Sequence, residues 1–486
     1  DMSQHKGAHS RIGATDVCPF VPVTGVTMEE CVQLAHELAA RVADELGIPI
    51  YLYEEAAQKP ERRNLATIRE GEYEGLPEKL KDPEWAPDYG KPEFNPKAGA
   101  TVIGAREFLI AYNINLNTRD RRLAHRIAMN LRERGRAKRD AEGKIVRDEN
   151  GKAIMVPGKF KAVKAVGWYI EDYGIAQISI NFTNYKISPP HLVFDEAIKE
   201  AEKLGLRVTG SELVGLIPKE ALLMAGRYYL KRQGKSPGVP EEELIRTAVI
   251  SLGLNDVAPF DPQKKIIEYQ VKEEGGSLVK LNLREFVNEL SIDSPAPGGG
   301  STAALCGALS ASLSSMVANL TVGKNEYESV QDKVKQIAVK AQGLKDDLLN
   351  AVDQDTQAFN RLMAAYRMKK KTEEQKRERE EAVEEASKQA TLVPLAVLEK
   401  STEALELARE VALHGNKNSI SDAGVAGLTG QAAAEGAFYN IKINLPSIQD
   451  GAFKENTVKK AESLREKALI LGKELREIVE KELGQR

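Results

Sequence analysis

SPAPGGGSTAALCGALSASLSSMVANL, residues 294–320, decides what the second half of the chain becomes. From Ser301 to Leu320 no residue is charged, and the run has about the length that a bilayer requires. Its composition opposes a membrane span. Ala, Ser and Gly dominate, and Leu305, Leu309, Leu313, Met316, Val317 and Leu320 recur as a single helical stripe, the pattern expected of a helix buried in a bundle. The glycines ahead of it would expose amides at a helix N-terminus, where the dipole favours an anion or carboxylate. Such a triplet also serves as a plain linker. It lacks the GK[ST] ending of a P-loop and the spacing of a dinucleotide fingerprint.

Toward the C-terminus no period-2 strand follows residue 281, and the patterning predicts an all-α region. Helices are expected over residues 282–290, 301–320, 329–366, 372–414, 421–443 and 457–483, with Pro394 breaking or kinking the fourth. In the third, Val334, Ile337, Ala341, Leu344, Leu348, Val352, Phe359 and Leu362 form an apolar stripe, and the i+3 and i−4 steps put Asp355 on that face while Asp353 points elsewhere. A carboxylate facing a bundle interior has a raised pKa, which suits a proton donor. An interhelical hydrogen bond or a cap would explain it equally well.

Toward the N-terminus strands and helices alternate: an extended run over 14–23, a helix over 27–46, a strand over 48–53, a strand over 108–116, a helix carrying Leu123, Ile127 and Leu131, strands over 163–171 and 175–185, and helices over 191–204, 219–231 and 241–252. Residues 59–99, rich in Pro, Gly and charge, are expected to form a long ordered loop, and loops of that length are usually functional. Residues 136–161 read as an exposed hairpin or mobile insertion. Two successive α+β units with a cleft between them make that cleft the default binding site. The linker to the helical region is expected near 272–277, at Glu273, Glu274, Gly275 and Gly276.

A chain of 486 residues is too long for one ordinary core. Apolar residues at 42% and charged residues at 29% are globular values, so real cores can form. The balance of 69 basic against 72 acidic residues, a formal charge of −3, offers no general attraction to nucleic acid or anionic lipid. Cys18, Cys31 and Cys306 stand isolated, which suits a reducing cytoplasm. Asp1 is not a translation start, so the beginning reads as a truncation.

Near that start lies KGAHSRIGATDVCPF, residues 6–20. His9 among glycines and polar groups could act as a base near neutral pH, or be an exposed loop side chain. His5 and His9 have the i,i+4 spacing of a metal pair, but no nearby glutamate completes a zinc signature.

The string over residues 6–20, with DVCPF at its end, resembles the catalytic segment of glutamate formiminotransferases, and DYGKPEFNPKAGAT, residues 88–101, resembles their folate-contacting loop. Residues 108–116 and GSELVGLIP, residues 210–218, extend the likeness. PAPGGGS, the run from Asp353 through Asp355 to Phe359, Gly415-Asn416, Ser421-Asp422 and NIKINL at 440–445 resemble formiminotetrahydrofolate cyclodeaminases. In this order the motifs resemble the fused formiminotransferase-cyclodeaminase family.

The resemblance implies an α+β fold followed by an all-α one: two ferredoxin-like α/β-sandwich subdomains, the first incomplete, over 1–108 and 109–271, a linker over 272–280 and a helical bundle over 281–486. It implies His9 as the base that removes the N5 proton of tetrahydrofolate while N5 attacks formiminoglutamate, and a folate loop of Gly90, Lys91, Pro92, Glu93, Phe94, Asn95, Pro96, Lys97, Ala98 and Gly99. Asp355 would be the acid that protonates departing ammonia as N10 closes 5,10-methenyltetrahydrofolate, with Gly298, Gly299, Gly300, Ser301 and Asp353 around it. Tetrahydrofolate is a co-substrate, and no metal, nicotinamide or flavin is expected. The implied partners are formiminoglutamate, (poly)glutamylated folate and further copies of the chain, with neither nucleic acid nor a membrane span. Lys369, Lys370 and Lys371 would meet a folate glutamate tail or simply form a solvated helix end. Two other readings remain: a methenyltetrahydrofolate cyclohydrolase in the helical region, and a non-catalytic folate-binding or assembly subunit.

Overall fold

The computed structural model describes residues 1–5, 10–23, 25–271 and 278–484. The expected linker residues Glu273, Glu274, Gly275 and Gly276, and His9, lie outside these. The chain forms two compact units, Asp1–Ala221 with Leu252–Gln270, and Leu222–Ser251 with Val271–Arg486.

The first unit opens with β1 (Val17–Phe20), α1 (Met28–Leu46), β2 (Ile50–Glu54), α2 (Leu65–Ile68), α3 (Glu72–Lys79) and β3 (Thr101–Ala105). The three strands pair in parallel in the order β1-β3-β2. A capping box starts α1: the Glu30 N–H donates to Thr27 Oγ1 at 3.2 Å and the Thr27 N–H to Glu30 Oε2 at 2.7 Å. Ile50 and Leu52 of β2 pack under Ala35 and Ala39 of α1, while Tyr51 and Tyr53 on the other face pack with Ile68, Leu76 and Leu80. A parallel sheet needs both faces covered. That is why residues 59–99, expected as loop, contain α2 and α3. Buried Arg62 pins this cover, pairing with Asp88 at 2.7 Å and donating to the carbonyls of Glu84 and Ala86.

Next come β4 (Ile110–Leu116), α4 (Arg121–Leu131), β5 (Arg136–Ala137), β6 (Met155–Val156), β7 (Val163–Ile170), β8 (Ile175–Phe182), α5 (Pro190–Glu202) and β9 (Val208–Val214). β5 and β6 form the ribbon expected over 136–161. The other four strands make an antiparallel sheet in the order β7-β8-β4-β9, joined as β-α-β-β-α-β. Ile110, Tyr112, Ile114 and Leu116 are buried on one face with Ala124, Ile127, Ala128 and Leu131 of α4. β3 and β9 were not among the expected strands: TVIGA is too short for a periodicity, and Gly210, Ser211 and Glu212 dilute the apolar pattern of β9. The chain continues through α6 (Lys219–Arg232) and α7 (Glu241–Ser251), then α8 (Pro262–Lys265) and α9 (Ile267–Gln270).

The second unit holds α10 (Leu283–Ser291), α11 (Gly299–Thr321), α12 (Gln331–Tyr366), α13 (Glu373–His414), α14 (Ile420–Asn444) and α15 (Gly451–Gly484). By length and composition α11 could cross a membrane, yet 56% of its most apolar window is buried inside the protein. The expected stripe is only partly its buried face. Val317 is buried and Leu305 and Leu313 are half-buried against the core, but Leu309, Met316 and Leu320 are exposed, and Ala303, Ala304, Gly307, Ala308, Ser310, Ala311, Ser314 and Ser315 supply most of the buried surface. Small side chains let the neighbouring helices approach: a Cβ on Gly307 would lie 2.7 Å from Ser401 Oγ, and one on Gly430 of α14 would lie 2.7 Å from Ser310 Oγ.

Pro394 does not break α13, which runs unbroken from Glu373 to His414. Proline cannot donate to the carbonyl of Ala390 one turn earlier. Asn444 Nδ2 donates to that carbonyl instead, at 2.7 Å.

Candidate active sites

In the first unit the two N-terminal motifs become neighbours. The Ala14 N–H donates to the Ala98 carbonyl at 2.8 Å and the Ala100 N–H to the Ile12 carbonyl at 3.0 Å, with Gly13 bridged to Gly99. Only glycine fits at both positions. A Cβ on Gly13 would lie 2.0 Å from the Ala100 carbonyl oxygen, and one on Gly99, whose φ is +70°, would lie 2.3 Å from that of Ile12. Asn95 shapes the loop, its Oδ1 accepting from the N–H groups of Lys97 and Ala98 and its carbonyl from Gly99. Gly90 turns the chain at φ +85°. Lys91, Pro92, Glu93, Pro96 and Lys97 are exposed, while Phe94, Asn95 and Ala98 are half-buried, Phe94 against Tyr73.

Ion pairs anchor the segment that follows His9. Arg11 reaches Glu72 at 3.0 Å and Glu74 at 2.7 Å, and Asp16 pairs with Arg69 while accepting the Ile12 N–H at 2.8 Å. Ile12, Gly13 and Ala14 are thus held beside the end of the 90–99 loop.

Two groups escaped sequence reasoning. Glu54 ends β2 with a left-handed backbone, φ +51°. Burial lifts its carboxyl above the ordinary range against the opposing pull of Lys164 and Arg106. The second is a polar row on the sheet face opposite α4. Asn115 Nδ2 donates to Asp256 Oδ2 at 2.9 Å, Gln177 Nε2 to Asn115 Oδ1 at 2.7 Å and to Glu212 Oε2 at 3.1 Å, Asn113 Nδ2 to Glu212 Oε2 at 3.1 Å, and Trp168 Nε1 to Gln177 Oε1 at 3.0 Å. The alternation of Ala111, Asn113 and Asn115 with apolar residues along β4 was its sequence signal.

In the second unit Gly300, Ser301 and Asp355 form one cluster where α11 begins against α12. Ser301 Oγ lies 2.8 Å from the Val352 carbonyl oxygen, 3.2 Å from Asp355 Oδ2 and 3.3 Å from Thr356 Oγ1. A Cβ on Gly300 would lie 2.1 Å from Asp355 Oδ1. Burial raises the Asp355 pKa above the usual carboxylate range, and hydrogen bonds from the hydroxyl and backbone of Ser301 oppose the rise without cancelling it. The glycine-rich helix start therefore receives a carboxylate, and that carboxylate belongs to the protein itself.

Asn440 of α14 faces the same end, its Nδ2 3.5 Å from where a Gly299 Cβ would be. Gly298 is the residue before α11. Asp353 stands apart, its Oδ1 accepting the Leu278 N–H at 3.0 Å. Gly415-Asn416 and Ser421-Asp422 lie toward the other end of α11, where the Asn416 N–H donates to Thr321 Oγ1 at 2.8 Å. That is about 30 Å along the helix from Ser301. Lys369, Lys370 and Lys371 are exposed in the turn between α12 and α13.

Comparison with known proteins divides the chain near residues 106–111 and 272–282. The formiminotransferase N-terminal subdomain model matches residues 1–106, the formiminotransferase domain model 111–272 and the formiminotransferase-cyclodeaminase model 282–463. The chain is 44% identical over 480 residues to the formimidoyltransferase-cyclodeaminase of Mus musculus, covering 97% of this chain and 85% of that one. It is 44% identical over 231 residues to a glutamate formimidoyltransferase of Streptococcus pyogenes, covering 48% of this chain and 70% of that one. It is also 40% identical over 202 residues to a methenyltetrahydrofolate cyclohydrolase of Methylorubrum extorquens, covering 42% of this chain and 97% of that one.

Proposed function

The chain belongs to the formiminotransferase-cyclodeaminase family, and from that premise we propose that it is a bifunctional folate enzyme of histidine breakdown. Its first activity transfers the formimino group of formiminoglutamate to N5 of tetrahydrofolate, releasing glutamate. Its second closes 5-formiminotetrahydrofolate to 5,10-methenyltetrahydrofolate with loss of ammonia. Similarity along 97% of the chain to an enzyme named for both activities supports the pairing.

His9 is the proposed base for the transfer, taking the N5 proton as N5 attacks the formimino carbon. Residues Gly90 to Gly99 are the proposed folate loop, supported by the hydrogen bond from Ala14 to Ala98 and the bridge of Gly99 to Gly13, which join it to the segment after His9. In the second reaction N10 attacks the formimino carbon, and the bond to the terminal nitrogen breaks as that nitrogen gains a proton. Asp355 is the proposed donor, with Gly298, Gly299, Gly300 and Ser301 around it and Asp353 serving the neighbouring turn. The single observation that carries this assignment is the place of Asp355 at the start of α11, 3.2 Å from Ser301 Oγ, where burial raises its pKa.

The proposed division is a transferase half over 1–108 and 109–271, a linker over 272–280 and a deaminase half over 281–486. The β-α-β-β-α-β order from β4 to β9 supports a ferredoxin-like reading of the second subdomain. Exposed Leu309, Met316 and Leu320 on α11, with Val425 and Leu428 on α14, support a homo-oligomer. Free Cys18, Cys31 and Cys306 suit a cytoplasmic setting.

A second reading, methenyltetrahydrofolate cyclohydrolase activity in the helical unit, is favoured by the similarity to the Methylorubrum extorquens enzyme. Incubation with 5-formiminotetrahydrofolate separates the two. Stoichiometric ammonia and methenyltetrahydrofolate are expected, and hydrolysis of methenyltetrahydrofolate without ammonia release from the formimino compound would favour the cyclohydrolase.

A further inference from the structure

α6 and α7 lie within the stretch that resembles transferases, residues 111–272, yet Leu222–Ser251 packs with the helical unit. The chain consequently passes between its two compact units three times, after Ala221, after Ser251 and after Gln270. The two helices form a tight hairpin, since a Cβ on Gly226 of α6 would lie 2.2 Å from the Leu244 carbonyl oxygen of α7. Its tip, Ser236-Pro237-Gly238-Val239-Pro240, is stiffened by two prolines and by the Gly238 N–H donating to Ser236 Oγ at 3.0 Å.

That tip is seated on α11 and α12. Asn319 Nδ2 of α11 donates to the Gly238 carbonyl at 2.7 Å, and Ser315 Oγ lies 3.4 Å from the same oxygen. Gly238 rests directly on the backbone of α12: a Cβ there would lie 2.4 Å from Ala338 C and 2.5 Å from Val339 N. Ser236 and Gly238 are buried, as are Ser315 and Ala338 beneath them. Backbone against backbone cannot relax by rotamer changes, so any side chain at 238 must unseat the tip.

We infer that the α6–α7 hairpin is a clasp: transferase-family sequence docked into the α11–α12 surface of the helical unit, holding the two halves together independently of the peptide connection at 272–277. The contact also bridges the two helices that carry Ser301 and Asp355, at the end of α11 remote from that site.

The test uses the full chain with a site-specific protease sequence inserted between residues 272 and 277 and cut after folding. The fragments are expected to co-elute in native gel filtration and remain together on dilution. The same cut in Gly238→Val, and to a lesser degree in Asn319→Ala, is expected to release them. Separation of the cut parent chain would overturn the clasp, as would unchanged association in cut Gly238→Val. Hydrogen exchange on the parent chain supplies a readout that needs no variant. Amides of residues 222–251 are expected to keep their protection after cutting, and its loss would also reject the inference.

Discussion

Gly300 stands so close to Asp355 that a single added methyl would sit 2.1 Å from the carboxylate oxygen Oδ1. The glycine gives room for the acid, and the helix that starts at Gly299 turns its positive end toward it. Gly300→Ala should therefore displace the carboxyl group while leaving the bundle helical. Ammonia release should fall on the order of a hundredfold, the effect of misplacing a reacting group by about 1 Å. Unchanged turnover with unchanged circular dichroism would sink the proposed site.

Asp355→Asn should separate stability from activity. A carboxyl whose pKa is raised on folding contributes stability below its unfolded pKa, and loses it as pH rises through the folded value. At neutral pH the ionised form is therefore less favoured in the folded chain than in the unfolded one, and the amide should melt no lower than the parent. Deaminase turnover should nevertheless drop roughly 10²- to 10⁴-fold, the usual range for losing a general acid. A variant that melts much lower and keeps its turnover would make Asp355 structural.

Ser301→Ala bears on the same acid through its pH profile. The Ser301 hydroxyl favours the charged carboxylate, so its removal should raise the pKa further. In the proposed mechanism the protonated acid is the active form, so turnover falls as pH rises through that pKa. The falling limb should move to higher pH in Ser301→Ala, and a shift to lower pH would contradict the assignment.

Asn444→Leu should strip the Ala390 carbonyl of its side-chain donor and destabilise the helical unit by about 1–3 kcal/mol. Adding Pro394→Ala restores a backbone N–H one turn along and should recover much of that loss. Denaturant midpoints of the two single variants and the double variant measure the coupling, and additive effects would mean that Asn444 does not serve the proline.

Much of this was legible along the chain. The helical second half, the capped helix ending at Leu46, the ribbon at 136–161 and the inward-facing Asp355 follow from periodicity and turn chemistry, which are local properties. Where local pattern and packing diverged, packing prevailed. The stripe on α11 suggested one buried face, but Leu309, Met316 and Leu320 of it are exposed and glycine, alanine and serine supply most of the buried surface, because close helix contact requires small residues. Pro394 suggested a break, but Asn444, distant in sequence, supplied the missing donor. Residues 59–99 suggested a loop, but a parallel sheet with an uncovered face drew short helices from them.

The sequence by itself determined the family and the two classes of fold, because each is written in contiguous motifs and local periodicity. Only the tertiary structure decided that Gly300, Ser301 and Asp355 form one cluster while Asp353 bonds Leu278, that Gly13 and Gly99 touch, and that a hairpin from the stretch resembling transferases packs with the helical unit. Those are contacts between residues far apart in the chain, set by how closely two backbones can approach, and no local pattern encodes that distance.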